Sequence, residues 1–285
     1  MKYAGIVCCS NPMPEKLREE IRMLENVLSE CGVKTQFSEC MYQKDIGVYS
    51  GKRRADALME RYRDPDISEI FDVFGGDMAN QLLPYLDFDL IGKSGKRFWG
   101  YSDLTVILNA IYTKTGAPSV LYQIRNVLKD ETGVQKAQFA SFLGGEDDLF
   151  AFPYRFVQGD RMEGVVIGGN IRCFLKLAGT PYFPDLRGKI LLLEALGGEL
   201  PQMITYLSQL EQLGAFRKIS GLILGTFTKL EQSGDWAVLE QLVKEYAGPD
   251  TPIIRTEFVG HGVDSFGVHI GGKYRFTGSE MGFKV

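Results

Sequence analysis

The sequence is poor in residues that would tie it together covalently or through a metal. It has five cysteines, an odd number, and no two of them stand in a C-x-x-C spacing. A disulfide framework needs paired cysteines, and structural zinc sites draw on closely spaced Cys and His. We therefore expect neither a disulfide scaffold nor a zinc site, and a reducing cytoplasm is the location that fits this usage best.

Long apolar runs and basic blocks are also missing. No stretch approaches the roughly 20 apolar residues of a membrane span, and the short apolar start at 1–12 lacks a small-x-small cleavage pattern. The 32 Lys and Arg are scattered among 36 Asp and Glu, which gives a net charge of -4. We therefore expect neither nucleic acid nor a membrane as a partner.

The first half of the sequence alternates between strand and helix patterns. Apolar segments predict strands at 3–9, 33–37, 70–74, 97–101 and 119–122. Helical periodicity predicts helices at 15–31, 53–63, 78–85 and 104–115. This alternation is typical of a doubly wound parallel sheet.

The second half is richer in strand and glycine. A polar Gly-rich stretch at 144–148 follows a predicted helix at 135–142 and is the best linker candidate. Beyond it we predict strands at 163–167, 189–194, 220–224 and 252–258, a terminal hairpin at 268–276, and helices at 171–177, 202–213 and 236–246. The predicted protein is α/β, with an N-terminal doubly wound parallel-sheet domain at 1–145, a linker at 146–159 and a smaller β-rich α/β domain at 160–285.

Histidine is scarce, which narrows any acid–base mechanism. The two histidines are His261 and His269, and histidine is the usual general base near neutral pH. His261 lies between two glycines just after a predicted strand, on flexible backbone from which a side chain can point into a cleft. His269 lies inside a strand-like alternation. A histidine satisfied by a backbone partner is the alternative for either residue, and the context favours His261 as the base.

Ser102 lies between the predicted strand at 97–101 and the predicted helix at 104–115. Its hydroxyl would then be at the carboxyl edge of the sheet, beside a positive helix N-terminus, where an activated nucleophile is well placed. A helix N-cap is the alternative, and Ser102 or Asp103 would serve equally well. The G-x-S-x-G elbow is incomplete, because Gly100 is present but position 104 is Leu.

Two further segments are candidates for the same site. Glu194 closes the apolar run at 189–193, where a buried carboxylate needs a partner such as a histidine, unless the strand end is exposed to solvent. Gly75-Gly76-Asp77 follows a predicted strand and opens a helix. Its backbone amides suit either a phosphate or a tetrahedral oxyanion.

These segments together resemble the serine LD-carboxypeptidases, a family that includes the microcin-immunity (MccF-like) peptidases. The resemblance covers roughly residues 3–276 and is carried by FDVFGGDMANQLLPYLD (71–87), GYSDLT (100–105), IGGNIRCFLKLAGTP (167–181), GKILLLE (188–194) and the Gly-His pair at 260–261. It implies that Ser102 is the nucleophile, His261 the general base and Glu194 the residue that orients it. The backbone amides of Gly76, or a neighbour in its turn, and of Asp103 are the implied oxyanion hole.

The resemblance also implies a function. The expected enzyme is a cytoplasmic homodimer without a metal or organic cofactor, and it hydrolyses the amide bond before the terminal D-amino acid of a murein peptide through an acyl-enzyme. Hydrolysis of peptidyl- or aminoacyl-nucleotide antibiotics, as in self-immunity, is the alternative. A non-catalytic peptide- or nucleotide-binding protein on the same scaffold is a second alternative. A phosphate-handling enzyme built on the glycine turn would leave Ser102, Glu194 and His261 unexplained.

The sequence departs from the family pattern where the substrate pocket is expected. Gln202 and Thr205 stand where the family more often has Arg. An exopeptidase must recognise a free carboxylate, for which a bidentate Arg is the usual device. We expect this carboxylate to be bound by Arg125 or Arg172, or by no residue. We also expect the enzyme to be less active on murein tetrapeptide than typical family members are. If the missing Arg residues serve packing or the dimer interface, the substitution says nothing about specificity.

Overall fold

The computed structural model describes residues 2–42, 47, 50–278 and 283–284, and the strands in this part of the chain form two sheets. The strands of the first half are β1 (Lys2–Val7), β2 (Val33–Phe37), β3 (Ile67–Asp72), β4 (Arg97–Gly100) and β5 (Ser119–Leu121). Its α-helices are α1 (Arg18–Glu30), α2 (Ser50–Arg63), α3 (Phe88–Ser94), α4 (Thr105–Thr115), α5 (Asn126–Lys129) and α6 (Val134–Gly144). Short 3-10 turns lie at Glu15–Leu17, Ala79–Tyr85, Ser102–Leu104 and Asp148–Phe150.

The second half contributes more strands than helices. Its strands are β6 (Arg155–Gln158), β7 (Met162–Asn170), β8 (Lys189–Ala195), β9 (Gly221–Phe227), β10 (Ile253–Arg255), β11 (Val268–Ile270), β12 (Lys273–Phe276) and β13 (Phe283–Lys284). Its helices are α7 (Ile171–Leu175), α8 (Leu200–Gln212), α9 (Thr228–Gln232) and α10 (Trp236–Ala247). Among the helices of the described ranges, none combines the length and apolar character that spanning a bilayer requires.

The first sheet has the strand order β11-β5-β4-β3-β1-β2. Strands β1 to β5 pair in parallel, and β11 joins the β5 edge in antiparallel direction. The order 2-1-3-4-5 is a common doubly wound arrangement, in which ligands bind outside the carboxyl ends of the strands. The predicted N-terminal parallel sheet is therefore confirmed.

The second sheet is mixed and has the order β13-β12-β7-β8-β9-β10-β6. The four central strands β7 to β10 are parallel, while the flanking β6, β12 and β13 run antiparallel to their neighbours. The apolar run of β8 is fully buried, as expected of a central strand covered on both faces. This sheet is the strand-rich α/β unit predicted for the second half.

The terminal hairpin predicted at 268–276 is wrong. β11 pairs with β5 of the first sheet, whereas β12 pairs with β7 of the second. The chain crosses between the sheets at Gly271, whose φ of 87° and close approach to the Tyr112 ring both require glycine. The predicted domain limits stay a prediction, and strand pairing places Val268–Ile270 in the first sheet and Arg155–Gln158 at an edge of the second.

The strand predicted at 252–258 is shorter than expected. It ends at Arg255, after which Thr256 Oγ1 donates to the carbonyl of Pro153 and accepts from the backbone N–H of Phe258. Such local side-chain bonds compete with the ladder of a strand. His261 therefore lies in an irregular loop six residues beyond the strand, and does not follow the strand end directly.

A close contact between β7 and α4 joins the two halves near the site. The side-chain amide of Asn109 exchanges two 2.9 Å hydrogen bonds with the backbone of Gly168, and the N–H of Asn170 donates to Thr105 Oγ1 at 3.0 Å. A Cβ at Gly169 would lie 2.7 Å from that same hydroxyl oxygen. Glycine thus lets the end of β7 approach the helix that begins just after Ser102.

Candidate active site

Ser102 stands on a strained turn between β4 and α4. Its φ of 55° makes it the one non-glycine residue with a positive φ in the described ranges, a conformation that costs about 1–3 kcal/mol. Among the described residues, no side chain caps the 3-10 turn at 102–104 or α4, so the predicted N-cap alternative is not realised by Ser102 or Asp103. A strained strand–turn–helix connection that presents a serine is the geometry of a nucleophile elbow.

The incomplete G-x-S-x-G pattern has a packing explanation. Leu104 is buried, and a Cβ at Gly100 would lie 2.5 Å from the Leu104 Cβ. The first glycine is therefore needed because Leu104 packs directly over the strand end. An apolar contact occupies the position where the common elbow has its second glycine.

Glu194 and His261 form a buried pair. The distance between His261 Nδ1 and Glu194 Oε2 is 2.7 Å, and the side chains are 9% and 0% exposed, which excludes the solvent-exposed alternative for Glu194. A carboxylate can only accept a hydrogen bond, so Nδ1 carries the proton and Nε2 has the lone pair. Nε2 is buried and has no hydrogen-bond partner among the described residues. The imidazole is thus oriented as a base with its accepting nitrogen unused.

The His261 ring lies against the residue that precedes Ser102. The ring centroids of Tyr101 and His261 are 4.5 Å apart with an edge-on orientation. Burial and the charge of Glu194 raise the pKa of Tyr101 well above its usual value, so this phenol stays neutral. The structure brings the Ser102 turn close to His261, although no residue in the described part of the chain forms a hydrogen bond with Nε2. Catalytic hydrogen bonds are often long in a free enzyme.

The loop that carries His261 is held by its neighbours. Ser265 Oγ donates to the carbonyl of Gly260 at 2.8 Å, and the side chain of Asn126 donates to the carbonyl of Gly262 at 3.3 Å. The carbonyl of Val259 accepts from the backbone N–H of Thr226 in β9 at 2.8 Å. These bonds fix the loop on both sides of the histidine.

The glycine turn after β3 contains two unused backbone donors. The neighbouring N–H groups are all engaged: Phe74 with Asp72, Asp77 with Asn11, Met78 with Ser10 and Ala79 with Asp103. The N–H groups of Gly75 and Gly76 donate no hydrogen bond within the described part of the chain. A Cβ at Gly75 would lie 3.2 Å from Ser102 Cβ, so the turn runs directly beside the serine. An anion near Ser102 would meet the amides of Gly75 or Gly76, and not that of Asp77.

Asp72 anchors the same turn at the end of β3. Its carboxylate accepts from the backbone N–H of Cys9 at 2.5 Å and of Phe74 at 3.0 Å. Burial raises the pKa of Asp72 to about 7, although these two N–H donors favour the charged form and oppose the shift. The turn beside Ser102 is therefore tied through this carboxyl group to the segment that follows β1.

A cavity of about 420 Å³ opens beside Ser102. It is lined by residues at 76–77, 102, 170–172, 195–198, 202 and 206. Gln202 and Arg172 line it, whereas Thr205 and Arg125 do not. Arg125 pairs with Glu20 at 2.9 Å, and Arg172 pairs with Asp77 at 2.5 Å. Of the two arginines predicted to meet a carboxylate, Arg172 is therefore the one that reaches the cavity.

Two lining residues were not singled out from the sequence. Asn170 caps α7 by accepting from the N–H of Cys173 at 3.3 Å, and Tyr206 reaches the cavity from α8. The Gly-Gly-Asn run before a helix is the signal that would have indicated the first. No group of three or more His, Cys, Asp or Glu side chains in the described ranges is arranged to hold a metal ion.

Comparison with known proteins identifies the family. Residues 4–122 match the family model described as LD-carboxypeptidase N-terminal domain, and residues 163–276 match that described as LD-carboxypeptidase C-terminal domain. The N-terminal match precedes the C-terminal match, and together they cover most of the chain. The chain therefore belongs to the LD-carboxypeptidase family, which confirms the resemblance found in the sequence.

Individual relatives agree with this membership. The "Probable murein peptide carboxypeptidase" of Bacillus subtilis (strain 168) is 29% identical over 97% of this chain and 89% of its own length. The microcin C7 self-immunity protein MccF of Escherichia coli is 30% identical over 64% of this chain and 63% of its own length. A solved structure of MccF in complex with aspartyl sulfamoyl adenosine has a TM-score of 0.88 at 22% identity and covers 100% of this chain and 96% of that chain. The last likeness establishes the shared fold.

Proposed function

We propose that this chain is a serine peptidase in which Ser102 is the nucleophile, His261 the general base and Glu194 the residue that orients it. The observation that carries the proposal is the 2.7 Å bond between His261 Nδ1 and the buried carboxylate of Glu194, beside the strained turn of Ser102. This bond directs the lone pair of Nε2 away from the carboxylate. Membership in the LD-carboxypeptidase family supports amide hydrolysis as the reaction.

In the proposed mechanism, Ser102 Oγ attacks the substrate carbonyl carbon while His261 Nε2 takes the hydroxyl proton. The negative charge on the carbonyl oxygen is stabilised by the backbone amides of Gly76 and Asp103. His261 then gives its proton to the leaving amine, and an acyl-enzyme remains on Ser102. A water molecule, activated by the same imidazole, releases the acid product and restores the serine.

The proposed substrate is a small murein peptide that loses its terminal D-amino acid. This choice is supported by the relative named probable murein peptide carboxypeptidase, whose similarity covers 97% of this chain. The second candidate is an aminoacyl- or peptidyl-nucleotide, because the fold matches MccF, which was solved with aspartyl sulfamoyl adenosine. A cavity of about 420 Å³ is in the size range of small-ligand sites. The cytoplasmic location and the homodimer stay predictions.

A fluorophosphonate probe tests the nucleophile. We expect wild-type protein and Ser141→Ala, a change at a half-buried serine of α6, to be labelled, and Ser102→Ala to remain unlabelled. Ser102 caps no helix, so removal of its hydroxyl should change the melting temperature by only a few degrees. A labelled Ser102→Ala protein would refute the assignment, and an unlabelled wild type would favour the non-catalytic binding protein.

Mass spectrometry separates the two substrate classes. Unlabelled wild-type protein, from a preparation that reacts with the probe in a separate aliquot, is incubated in parallel with murein tetrapeptide and with an aminoacyl sulfamoyl-adenylate. Release of the terminal D-amino acid supports the carboxypeptidase, whereas release of the free amino acid from the nucleotide supports the alternative. If neither compound is cleaved by protein that reacts with the probe, both substrate proposals fail and the nucleophile assignment stands.

A further inference from the structure

The carboxylate of Asp103, the residue after Ser102, is fully buried and has three donors. It accepts from Ser10 Oγ at 2.6 Å, from the backbone N–H of Ala79 at 2.8 Å and from Lys176 Nζ at 2.5 Å. A charge taken out of water costs several kcal/mol unless such partners compensate it. The three donors fix the position of the Asp103 carboxylate. Because Asp103 follows Ser102 directly, they also fix the backbone of the Ser102 turn.

Lys176 reaches this carboxylate from the other half of the protein. It follows α7, its side chain is 20% exposed, and its ammonium also donates to the carbonyl oxygen of Asp77 at 2.9 Å. Asp77 closes the glycine turn whose two unused amides lie beside Ser102. One ammonium group therefore contacts both segments from which the proposed oxyanion donors come.

The two contacts of Lys176 act on different peptide groups. Its bond to Asp103 holds the residue whose backbone amide is one proposed donor. Its bond to the Asp77 carbonyl, together with the bond that the Asp77 N–H donates to Asn11 Oδ1 at 2.9 Å, fixes the peptide groups on both sides of Asp77. The amide of Gly76 is one peptide group away. Movement of the ammonium would let the two donors separate.

We propose that Lys176, which reaches across from the second half of the protein, is a positioning residue that holds the two oxyanion donors after β3 and β4 at a fixed separation. The inference rests on the proposed function, because it assumes that an oxyanion forms beside Ser102. Lys176 does not line the cavity, so its effect is expected in the transition state and not in substrate binding. A misplacement of about 1 Å can cost about 100-fold in rate.

The test removes the ammonium group of Lys176 and measures kcat, KM and the rate of fluorophosphonate labelling. Lys176→Met is expected to lower kcat and the rate of fluorophosphonate labelling about 10- to 100-fold, with KM changed less than about threefold. Lys176→Arg keeps the charge and the donors and is expected to recover most of the rate. Lys244→Met is the matched control, because Lys244 pairs with Glu240 on α10 at 2.8 Å and contacts neither turn.

A second variant covers the case in which Lys176→Met leaves the buried carboxylate unpaired and fails to fold. The double change Lys176→Met with Asp103→Asn removes both charges, and the same loss of kcat is expected. A folded variant of either kind with wild-type kcat overturns the proposal, as does a rise in KM at unchanged kcat, which would mean that Lys176 binds substrate. Absence of labelling in the wild type overturns the proposed function itself, and the inference with it.

Discussion

One substitution at the hydrogen bond between Glu194 and His261 should affect catalysis strongly and stability only slightly. Glu194→Gln keeps the shape of the side chain and removes its charge. The amide can turn either its oxygen or its NH2 group toward Nδ1 of the histidine. If the NH2 group faces Nδ1, the imidazole must carry its proton on Nε2, where it can no longer take the proton of Ser102.

The size of the effect follows from burial and from the number of bonds lost. Glu194 is 0% exposed, and its Oε1 has no partner among the described residues, so a single bond changes. A hydrogen bond to a charged group contributes about 1.5–3 kcal/mol, and removal of a buried charge returns a desolvation cost of opposite sign. Stability should therefore change by about 2 kcal/mol or less. Loss of the oriented tautomer should lower kcat about 1,000- to 10,000-fold.

The assay compares kcat, the labelling rate and the melting temperature in the wild type, Glu194→Gln and a matched control. Glu69→Gln makes the same chemical change at another buried glutamate, which accepts hydrogen bonds from Arg97 and Trp99. The control is expected to lose stability and to keep the kcat of its folded fraction. A folded Glu194→Gln protein with kcat within about threefold of wild type would show that Glu194 does not orient the base.

Two further predictions concern pH and substrate choice. Burial raises the pKa of Asp72 to about 7, above the ordinary value of about 3.9. The folded protein therefore holds a proton that the unfolded chain has released, and stability falls as pH rises from about 4 to 7. In the wild type we expect the free energy of unfolding, measured with urea, to fall by up to about 4 kcal/mol over this pH range. Asp72→Asn should not show this fall, and equal pH slopes in both proteins would contradict the prediction. Because Gln202 lines the cavity where the family more often has Arg, we expect kcat/KM for murein tetrapeptide to exceed that for its C-terminal amide by less than about tenfold. Gln202→Arg should increase this preference, and Thr205→Arg, outside the cavity, should not; a strong wild-type preference for the free acid is the contrary result.

Local sequence patterns predicted the parallel sheet well. β2 has the predicted bounds, and β4 and β5 differ from the prediction by one residue at one end, because apolar runs between helical periods are a local signal. Strand pairing is not local, which is why two short strands at the end of the chain were predicted to form a hairpin. In the fold they belong to different sheets, where β11 pairs with β5 and β12 with β7.

The sequence indicated those site residues whose type is scarce in the chain or which follow or end a predicted strand. The structure brings His261 and Glu194 together and places both beside the Ser102 turn, although catalysis by these residues stays a proposal. The ion pair between Lys176 and Asp103 had no comparable signal. These residues are 73 positions apart, and each alone is compatible with a solvated charge or a helix cap. Only the packing of the two halves gives them a common role.

The same packing explains why the candidate site needs both sheets. The first sheet supplies the serine after β4 and the glycine turn after β3, and the second supplies Glu194 near the end of β8 and the loop of His261. Carboxyl ends of parallel strands from two sheets therefore meet at one place, and neither half contains a complete set. Their separation depends on Gly169, where a Cβ would lie 2.7 Å from Thr105 Oγ1 of α4 and would disturb the hydrogen bonds between the end of β7 and that helix. A side chain there would move Glu194, paired in register with Asn170, away from the Ser102 turn, so the glycine contact is a geometric condition of the proposed mechanism.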